Sequence, residues 1–209
     1  MKRRILLATL LLSSAFASAA EPINIGSRRE LFVDRFLIDK LSGTQLQLHS
    51  PRDEGIAFKF DKSWEGLFSG YATIVTLEDG RLRAYYRGKA VANKDGSEEE
   101  LTCCAESKDG RAWAKPELGI FEVMGTRQNN VVLMKANTAT HNFSPFRDER
   151  SGVAADERFK AFGGTMEGGG QTAWKSPDGL RWQKMTAEPV ITQSMVPYKY
   201  MFDSQNVPF

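Results

Sequence analysis

The sequence predicts an all-β protein built from four-stranded repeats, and two observations carry this prediction. Helical periodicity is hard to find after residue 21, whereas short alternating runs bounded by Gly, Asp, Asn and Pro recur along the chain. The motif Ser-x-Asp-Gly-x-x-Trp occurs at 107–113 and again 69 residues later at 176–182. Four strands per repeat, with a turn and an aromatic residue at a fixed period, are typical of a β-propeller.

The first repeat is predicted from a hairpin. Two β-rich runs flank an Asp-Gly turn at Asp79 and Gly80, which is a strong short-range hairpin signal. A polar insertion at 92–100 then leads into a third strand, and a second Asp-Gly turn leads to a fourth. The predicted strands are 71–77, 81–87, 101–107 and a short one around Trp113.

The second repeat is predicted from the same order of elements. Its strands are expected at 143–146, 158–162, 171–176 and around Trp182. In both motifs the Asp-Gly pair supplies the positive φ of a tight turn, and the tryptophan can pack beneath the turn between neighbouring sheets. Asp109 and Asp178 are therefore interpreted as turn-forming residues and not as catalytic ones.

The first twenty residues have the layout of a secretory signal peptide. Lys2, Arg3 and Arg4 precede an apolar run at 5–12, and small residues follow as far as Ala20. We therefore expect export to a periplasmic, cell-surface or extracellular location. No second long apolar run follows, so no membrane span is expected in the mature chain.

The net charge and the cysteine content indicate which partners and which source of stability to expect. Removal of residues 1–20 leaves 25 basic against 26 acidic residues, so the net charge falls from +2 to −1. A nearly neutral chain does not predict a nucleic-acid partner. Cys103 and Cys104 are adjacent and poorly placed to bridge each other, so stability is expected to come from packing.

The length of the chain indicates an incomplete propeller. Residues 21–209 hold about two full blades and the start of a third, whereas a propeller needs roughly four or more blades to close. The segment 202–209 looks like the opening strand of the third unit. We therefore expect this chain to be the N-terminal part of a longer protein, or a truncated gene product.

A set of motifs along the chain suggests a family: 30–34, 64–66, 69–71, the two Ser-x-Asp-Gly-x-x-Trp turns, 141–146 and 203–206. Together they resemble the five-bladed propellers of glycoside hydrolase families 32 and 43, and most of all exported bacterial proteins described as family-32-like. The family-32 nucleophile motif Trp-Met-Asn-Asp-Pro-Asn-Gly is absent, and Glu149 stands where a proline would follow Arg147 and Asp148. The resemblance implies a central funnel that binds a glycan, with carboxylates from the innermost strands of the first three blades.

Two acidic residues are the candidate catalytic groups. Cleavage of a glycosidic bond needs one carboxylic acid that protonates the leaving oxygen and one carboxylate that acts as nucleophile or base. Glu65 precedes the first inner strand, and Asp203 lies on the predicted opening strand of the third unit. For either residue, the alternative is a solvated or turn-capping acid.

Polar residues near the inner strands are candidate sugar ligands. His141 and Asn142 are predicted to open the inner strand of the second blade, because Thr140 lies 69 residues after Tyr71. Both side chains can hydrogen-bond sugar hydroxyls. A histidine with a purely structural role is equally consistent with the sequence.

Amide and aromatic residues complete the candidate binding set. Gln205 and Asn206 follow Asp203 and form a polar cluster suited to adjacent hydroxyls. Trp64 and Tyr71 can stack on a sugar ring, although a core or sheet-surface position is the alternative for each.

Other chemistries lack a matching motif. The chain holds only two histidines, His49 and His141, and neither a His-Glu-x-x-His motif nor a Gly-x-Ser-x-Gly nucleophile elbow occurs. No metal and no cofactor are expected. The signal-peptide layout and the family resemblance together imply a secreted glycoside hydrolase acting on an oligosaccharide or polysaccharide, and the alternative is a non-catalytic carbohydrate-binding or scaffold propeller.

Overall fold

The computed structural model describes residues 21–209, so the predicted signal peptide at 1–20 lies outside the described residues. The chain divides into two compact units, with the second spanning Glu54–Phe209. Within the first unit, residues 21–53 form turns and bends without a helix or strand. None of the helices found in 21–209 has the length and apolar character that a membrane span requires.

The second unit contains a first antiparallel sheet whose main path runs in the order β1-β2-β3-β4. These strands are Gly70–Thr76, Leu82–Gly88, Leu101–Ser107 and Trp113–Ala114. A further strand, β5 (Val131–Met134), pairs with the beginning of β3, while β4 pairs with its end. The hairpin and the four predicted strands are confirmed, and β5 is an addition to them.

A second antiparallel sheet of four strands follows in the order β6-β7-β8-β9. Short 3-10 helices lie in the connections, at Asn137–His141, Ala155–Glu157 and Gln193–Met195. The chain is thus all-β with two sheets in the predicted order, and residues 21–209 contain no closed sheet. The strands of the second sheet are Ser144–Arg147, Phe159–Gly163, Thr172–Ser176 and Gln183–Lys184.

Both repeated motifs form the same turn. In the first, Ser107 Oγ accepts hydrogen bonds from the N–H groups of Asp109 and Gly110, and Asp109 Oδ1 accepts from those of residues 111 and 112. The second turn repeats each of these bonds 69 residues later. Gly110 and Gly179 have φ angles of +75° and +71°, which only glycine adopts without strain. The structural roles predicted for the two aspartates are confirmed.

The two sheets share an apolar core around Trp182. Its ring centroid lies 5.0 Å from that of Phe143 and 6.1 Å from that of Tyr85, which belongs to the first sheet. Trp182 therefore packs between neighbouring sheets as predicted. Cys103 and Cys104 are free and buried, and they enter separate apolar clusters because successive residues of a strand face opposite ways.

The first strands of the two sheets, β1 and β6, are neighbours. The hydroxyl oxygens of Thr73 and Ser144 lie 3.3 Å apart between them. Two predicted strand positions nevertheless differ from the structure. His141 ends a 3-10 helix and Asn142 follows it, so β6 begins only at Ser144. Segment 202–209 forms no strand, because side chains and not a backbone ladder connect it to its neighbours.

Candidate functional site

The beginnings of β1 and β6 meet segment 202–206. This junction brings together six predicted site residues: Tyr71, His141, Asn142, Asp203, Gln205 and Asn206. The Tyr71 hydroxyl donates to the backbone carbonyl of Asp203 over 3.3 Å. The Tyr71 ring packs edge-on against His141, with centroids 5.5 Å apart. Gln205 Nε2 donates to the backbone carbonyl of Tyr71 over 3.0 Å. The junction therefore positions an imidazole, a phenol and a carboxylate from distant parts of the chain.

Asn142 fastens the junction. Its amide nitrogen lies within hydrogen-bonding distance of the carbonyls of Gly164, Phe202 and Ser204, at 3.0, 3.2 and 2.9 Å. Its Oδ1 accepts from the N–H of Gly164 over 2.9 Å. A fully buried amide that makes these contacts holds segment 202–204 against the second sheet. The structure therefore places Asn142 under the site, with its amide engaged by backbone.

Gln205 and Asn206 also bind their own surroundings. Besides Tyr71, Gln205 Nε2 contacts Thr73 Oγ1 on β1. Asn206 Nδ2 donates to the carbonyl of Ser204 over 2.9 Å. Both amides thus shape segment 202–206, and their predicted contact with sugar hydroxyls stays a prediction.

A cleft of about 330 Å³ opens at the junction. This volume is at the small end of the range of about 300–1,000 Å³ typical of ligand pockets. Asp203 is exposed at its rim. The cleft combines three carboxylates and an imidazole with an exposed aromatic ring, and its lining consists of Asp95, His141, Thr165, Met166, Glu167, Tyr200, Met201, Phe202 and Asp203.

Tyr71 has an unusual backbone conformation. Its φ of +52° lies in the left-handed region, which bulky residues rarely adopt, at a cost of about 1–3 kcal/mol. The register of β1 against β2 shifts here, between Gly70 and Thr73, and such a bulge re-aims a side chain. The Arg87 guanidinium lies over the Tyr71 ring, 4.6 Å from its centroid. The bulge and this cation–π contact together fix the phenol beside His141.

His141 contacts a buried ion-pair network. Its Nδ1 lies 3.1 Å from Glu100 Oε2 and 3.0 Å from Arg87 Nη1. Glu100 also accepts from the N–H of Gly96 over 3.0 Å and pairs with Lys89 Nζ at 2.7 Å. The side chain of Glu100 is fully buried and that of Lys89 nearly so. This buried network supports the imidazole.

The network determines the charge of its members. Burial acts to raise the pKa of Glu100, but hydrogen bonds from His141 and Lys89 outweigh it and hold that pKa below its usual value. Burial acts to lower the pKa of Lys89, but hydrogen bonds to Glu100 and Asp95 keep that pKa above its usual value. Glu100 and Lys89 are therefore an ionised pair at neutral pH.

One part of this network has the composition of a metal site. Asp95, Glu100 and His141 each offer a ligand atom, and these atoms lie within 4.8 Å of one another. Lys89 Nζ already contacts both carboxylates, at 2.7 and 2.9 Å. A divalent ion would have to displace a buried ammonium that supplies the same charge neutralisation. The arrangement of the three residues suits an internal ion-pair network with Lys89 better than it suits a metal site.

The other predicted catalytic residue, Glu65, lies in a separate buried cluster. Its Oε1 accepts from the Tyr86 hydroxyl over 2.7 Å and its Oε2 from Lys115 Nζ over 2.6 Å. Trp64 is also buried, and its indole donates to Asn130 Oδ1 over 2.9 Å. Neither Glu65 nor Trp64 lines the cleft. The predicted roles, catalysis for Glu65 and ring stacking for Trp64, stay predictions, and neither residue contributes to the cleft.

Several residues of the site were not predicted from the sequence: Arg87, Lys89, Asp95, Glu100 and Glu167. Two of them, Asp95 and Glu100, belong to the polar insertion at 92–100, which was interpreted only as a connection. One sequence signal was available, because Glu100 directly precedes the buried strand β3 and an acid at that position needs a partner.

Comparison with known proteins finds structural similarities with low TM-scores. No family model and no curated protein matches the chain. The chain is similar to the crystal structure of a "putative glycosidase" from Bacteroides thetaiotaomicron VPI-5482, with 16% identity, a TM-score of 0.41, and coverage of 64% of this chain and 36% of that one. A glycosyl hydrolase from Bacteroides ovatus gives 14% identity, a TM-score of 0.38, and coverage of 61% and 32%. The chain thus spans about a third of the length of these structures.

Proposed function

We propose that this chain binds a glycan at the cleft beside His141 and Asp203 and cleaves a glycosidic bond there. The observation that carries the proposal is the lining of the cleft, where carboxylates and an imidazole lie next to the exposed ring of Tyr200. Such polar groups bind sugar hydroxyls, and an aromatic face packs against a sugar ring. The substrate class is an oligosaccharide or a polysaccharide.

Two carboxyl groups are available for the reaction. Asp203 and Glu167 line the cleft and form no ion pair with other residues of the described part of the chain, whereas Asp95 is paired with Lys89. A hydrogen bond from its own backbone N–H holds the pKa of Glu167 below its usual value, so Glu167 suits the ionised role of base or nucleophile. Asp203 is the second carboxyl group that glycoside hydrolysis requires.

The arrangement of the two sheets supports a five-bladed propeller as the complete fold. Each sheet supplies one blade, and β1 and β6 are the innermost strands because they contact each other across the sheets. Gln205 brings segment 202–206 onto β1, where the inner strand of a third blade would lie. The glycan would bind in the funnel at the beginnings of these inner segments.

A second function, carbohydrate binding without catalysis, is favoured by one observation. Glu65 and Asp95, two acids near the inner strands, are both neutralised by lysines, at 2.6 Å from Lys115 and 2.9 Å from Lys89. A propeller that keeps its cleft but pairs its acids internally would bind a sugar and leave it intact.

The substitution Asp203→Asn tests the proposed hydrolysis. Measured on a panel of polysaccharides, hydrolysis by the 209-residue chain should fall by about 10²-fold or more, because a carboxyl group that transfers a proton typically contributes 10²–10⁴-fold. Glu117→Gln is the matched control, since Glu117 is exposed and does not line the cleft. Undiminished hydrolysis in Asp203→Asn would remove Asp203 from the reaction. Saccharide binding without hydrolysis by the unaltered chain would establish the second function.

We also propose that residues 1–20 direct export, as their basic, apolar and small-residue regions suggest. Expression of the whole chain in a bacterium followed by mass measurement of the periplasmic fraction tests this. A product that begins at residue 21 is expected, and retention of the entire chain in the cytoplasm would contradict the proposal.

A further inference from the structure

The Nδ1 atom of His141 faces two groups with incompatible demands. Glu100 Oε2, at 3.1 Å, can only accept a hydrogen bond, whereas Arg87 Nη1, at 3.0 Å, can only donate one. A single ring nitrogen is either a donor or an acceptor, so it cannot satisfy both partners. The protonation of the imidazole decides which contact is a hydrogen bond.

The buried carboxylate decides between the two tautomers. Arg87 Nη1 approaches both ring nitrogens, at 3.0 Å from Nδ1 and 3.4 Å from Nε2. A proton on Nδ1 gives Glu100 its hydrogen-bond donor. The opposite tautomer would turn a lone pair against a buried carboxylate. Of the two neutral tautomers, only the Nδ1–H form gives Glu100 a hydrogen-bond donor.

We infer that Glu100 is a positioning residue that fixes His141 as the Nδ1–H tautomer, so that its bare Nε2 accepts a hydrogen bond from a hydroxyl of the bound glycan. This inference rests on the proposed function for the identity of the ligand. It assigns to a fully buried acid, Glu100, the task of orienting the histidine that lines the cleft.

The geometry leaves Nε2 available. The 3.4 Å separation from Arg87 Nη1 is longer than the 2.7–3.2 Å of ordinary N–H hydrogen bonds, so a hydroxyl can replace this weak contact. Arg87 is held independently, because its Nε donates to the carbonyl of Phe68 over 3.0 Å and its guanidinium stacks on Tyr71. His141 itself lines the cleft.

Nitrogen NMR of the two histidines tests the inference. The tautomer of each ring is read from long-range ¹H–¹⁵N correlations at a pH where the rings are neutral. His141 should favour Nδ1–H by about tenfold or more, as a hydrogen bond to a charged acceptor predicts. His49 is exposed and serves as the internal reference. A His141 ring in the Nε2–H form, or with the same mixture as His49, would overturn the inference.

Two variants sharpen the test. Glu100→Gln should abolish the preference for Nδ1–H, because an amide can donate as well as accept, whereas Arg87→Met should retain it. If Glu100→Gln does not fold, the unaltered chain and Arg87→Met still decide, since loss of the preference in Arg87→Met would show that Arg87 controls Nδ1. A fixed Nδ1–H form in a chain that binds no saccharide would disprove the proposed function and the hydroxyl ligand, and would leave the orienting role of Glu100 standing.

Discussion

The two copies of the repeated turn have the same internal structure and different surroundings. In the first, Trp113 Nε1 donates to the carbonyl of Gly110 over 2.9 Å, so the turn is closed by its own tryptophan. In the second, the equivalent carbonyl of Gly179 accepts from the Tyr85 hydroxyl over 3.0 Å. The neighbouring carbonyl, that of Asp178, accepts from Arg83 Nη1 over 2.7 Å. In the second turn, Tyr85 on strand β2 of the first sheet thus supplies the hydrogen bond that Trp113 supplies in the first turn.

This difference shows what the motif determines and what it does not. The serine, aspartate and glycine determine the turn, and the four hydrogen bonds that the serine and aspartate side chains accept recur in both copies. The surrounding residues determine whether the turn is held only by its own residues or also connects the two sheets. Trp182 illustrates this, because it packs against Phe143 and Tyr85 while its buried Nε1 has no partner among residues 21–209.

The largest expected difference is between the two tryptophans. Trp182→Ala should lower the free energy of unfolding by about 3–5 kcal/mol, because it leaves a cavity between the sheets. Trp113→Ala should cost less, since Trp113 packs against one apolar cluster only, beside Phe58. Urea denaturation of the two variants measures both values. Equal losses would contradict the assignment of Trp182 as the residue that joins the sheets.

The two turn glycines offer a matched comparison. Gly110→Ala should cost about 1–2 kcal/mol, the penalty of a side chain at positive φ, since its nearest new neighbour is Leu82 Cδ1 at 3.4 Å. Gly179→Ala should cost about 2–4 kcal/mol, because the new methyl group also collides with the Tyr85 hydroxyl and breaks its hydrogen bond. Thermal or urea unfolding measures the loss of stability in each variant. An equal loss in both would argue against the contact between the second turn and strand β2.

Removal of the Tyr85 hydroxyl tests the contact between strand β2 and the second turn with a smaller structural change. Tyr85→Phe should lower the free energy of unfolding by about 1–2 kcal/mol, because the buried carbonyl of Gly179 loses its donor. In a double-mutant cycle with Gly179→Ala, the two losses should fall short of additivity, since both variants break the same bond. Fully additive losses would show that Tyr85 and the second turn are independent.

The smallest expected effect concerns acid sensitivity. Burial acts to raise the pKa of Asp178, but hydrogen bonds from the N–H groups of residues 181 and 180 outweigh it and lower that pKa. The contribution of Asp178 is therefore complete above its unfolded pKa of about 3.9 and is lost as pH falls through the folded value. Asp178→Asn should reduce the acid-induced loss of stability below about pH 4, by under about 1 kcal/mol. Urea titrations between pH 3 and 6 measure this, and an unchanged pH dependence would contradict it.

The fold could be predicted largely because its signals are local. Alternation and Asp-Gly turns gave the strand order of both sheets, and strand 101–107 agrees with the structure at both ends. Strand β5 was not predicted, because Val131–Met134 is a continuous apolar run without alternation. It forms where the beginning of β3 is left without a partner by the short β4.

The site could be predicted only in part, because its contacts are long-range. Glu100 and His141 are 41 residues apart in the sequence, and nothing local in the insertion at 92–100 indicates that they meet. Glu65 has a long-range partner of the same kind. Lys115, 50 residues away, forms an ion pair with its buried carboxylate. The 69-residue register relates Thr140 to Tyr71, and the rings of Tyr71 and His141 lie next to each other, with centroids 5.5 Å apart.

The central claim, a glycan site at the junction of the inner segments, is tested most directly by chemical-shift mapping. The ¹⁵N-labelled chain is titrated with a panel of neutral and acidic oligosaccharides. At least one saccharide should shift the backbone amides of Asp95, His141, Thr165 and Asp203, and should leave those of Trp64 and Glu65 unchanged. Shifts concentrated around Trp64 and Glu65, or no shift with any member of the panel, would contradict the claim.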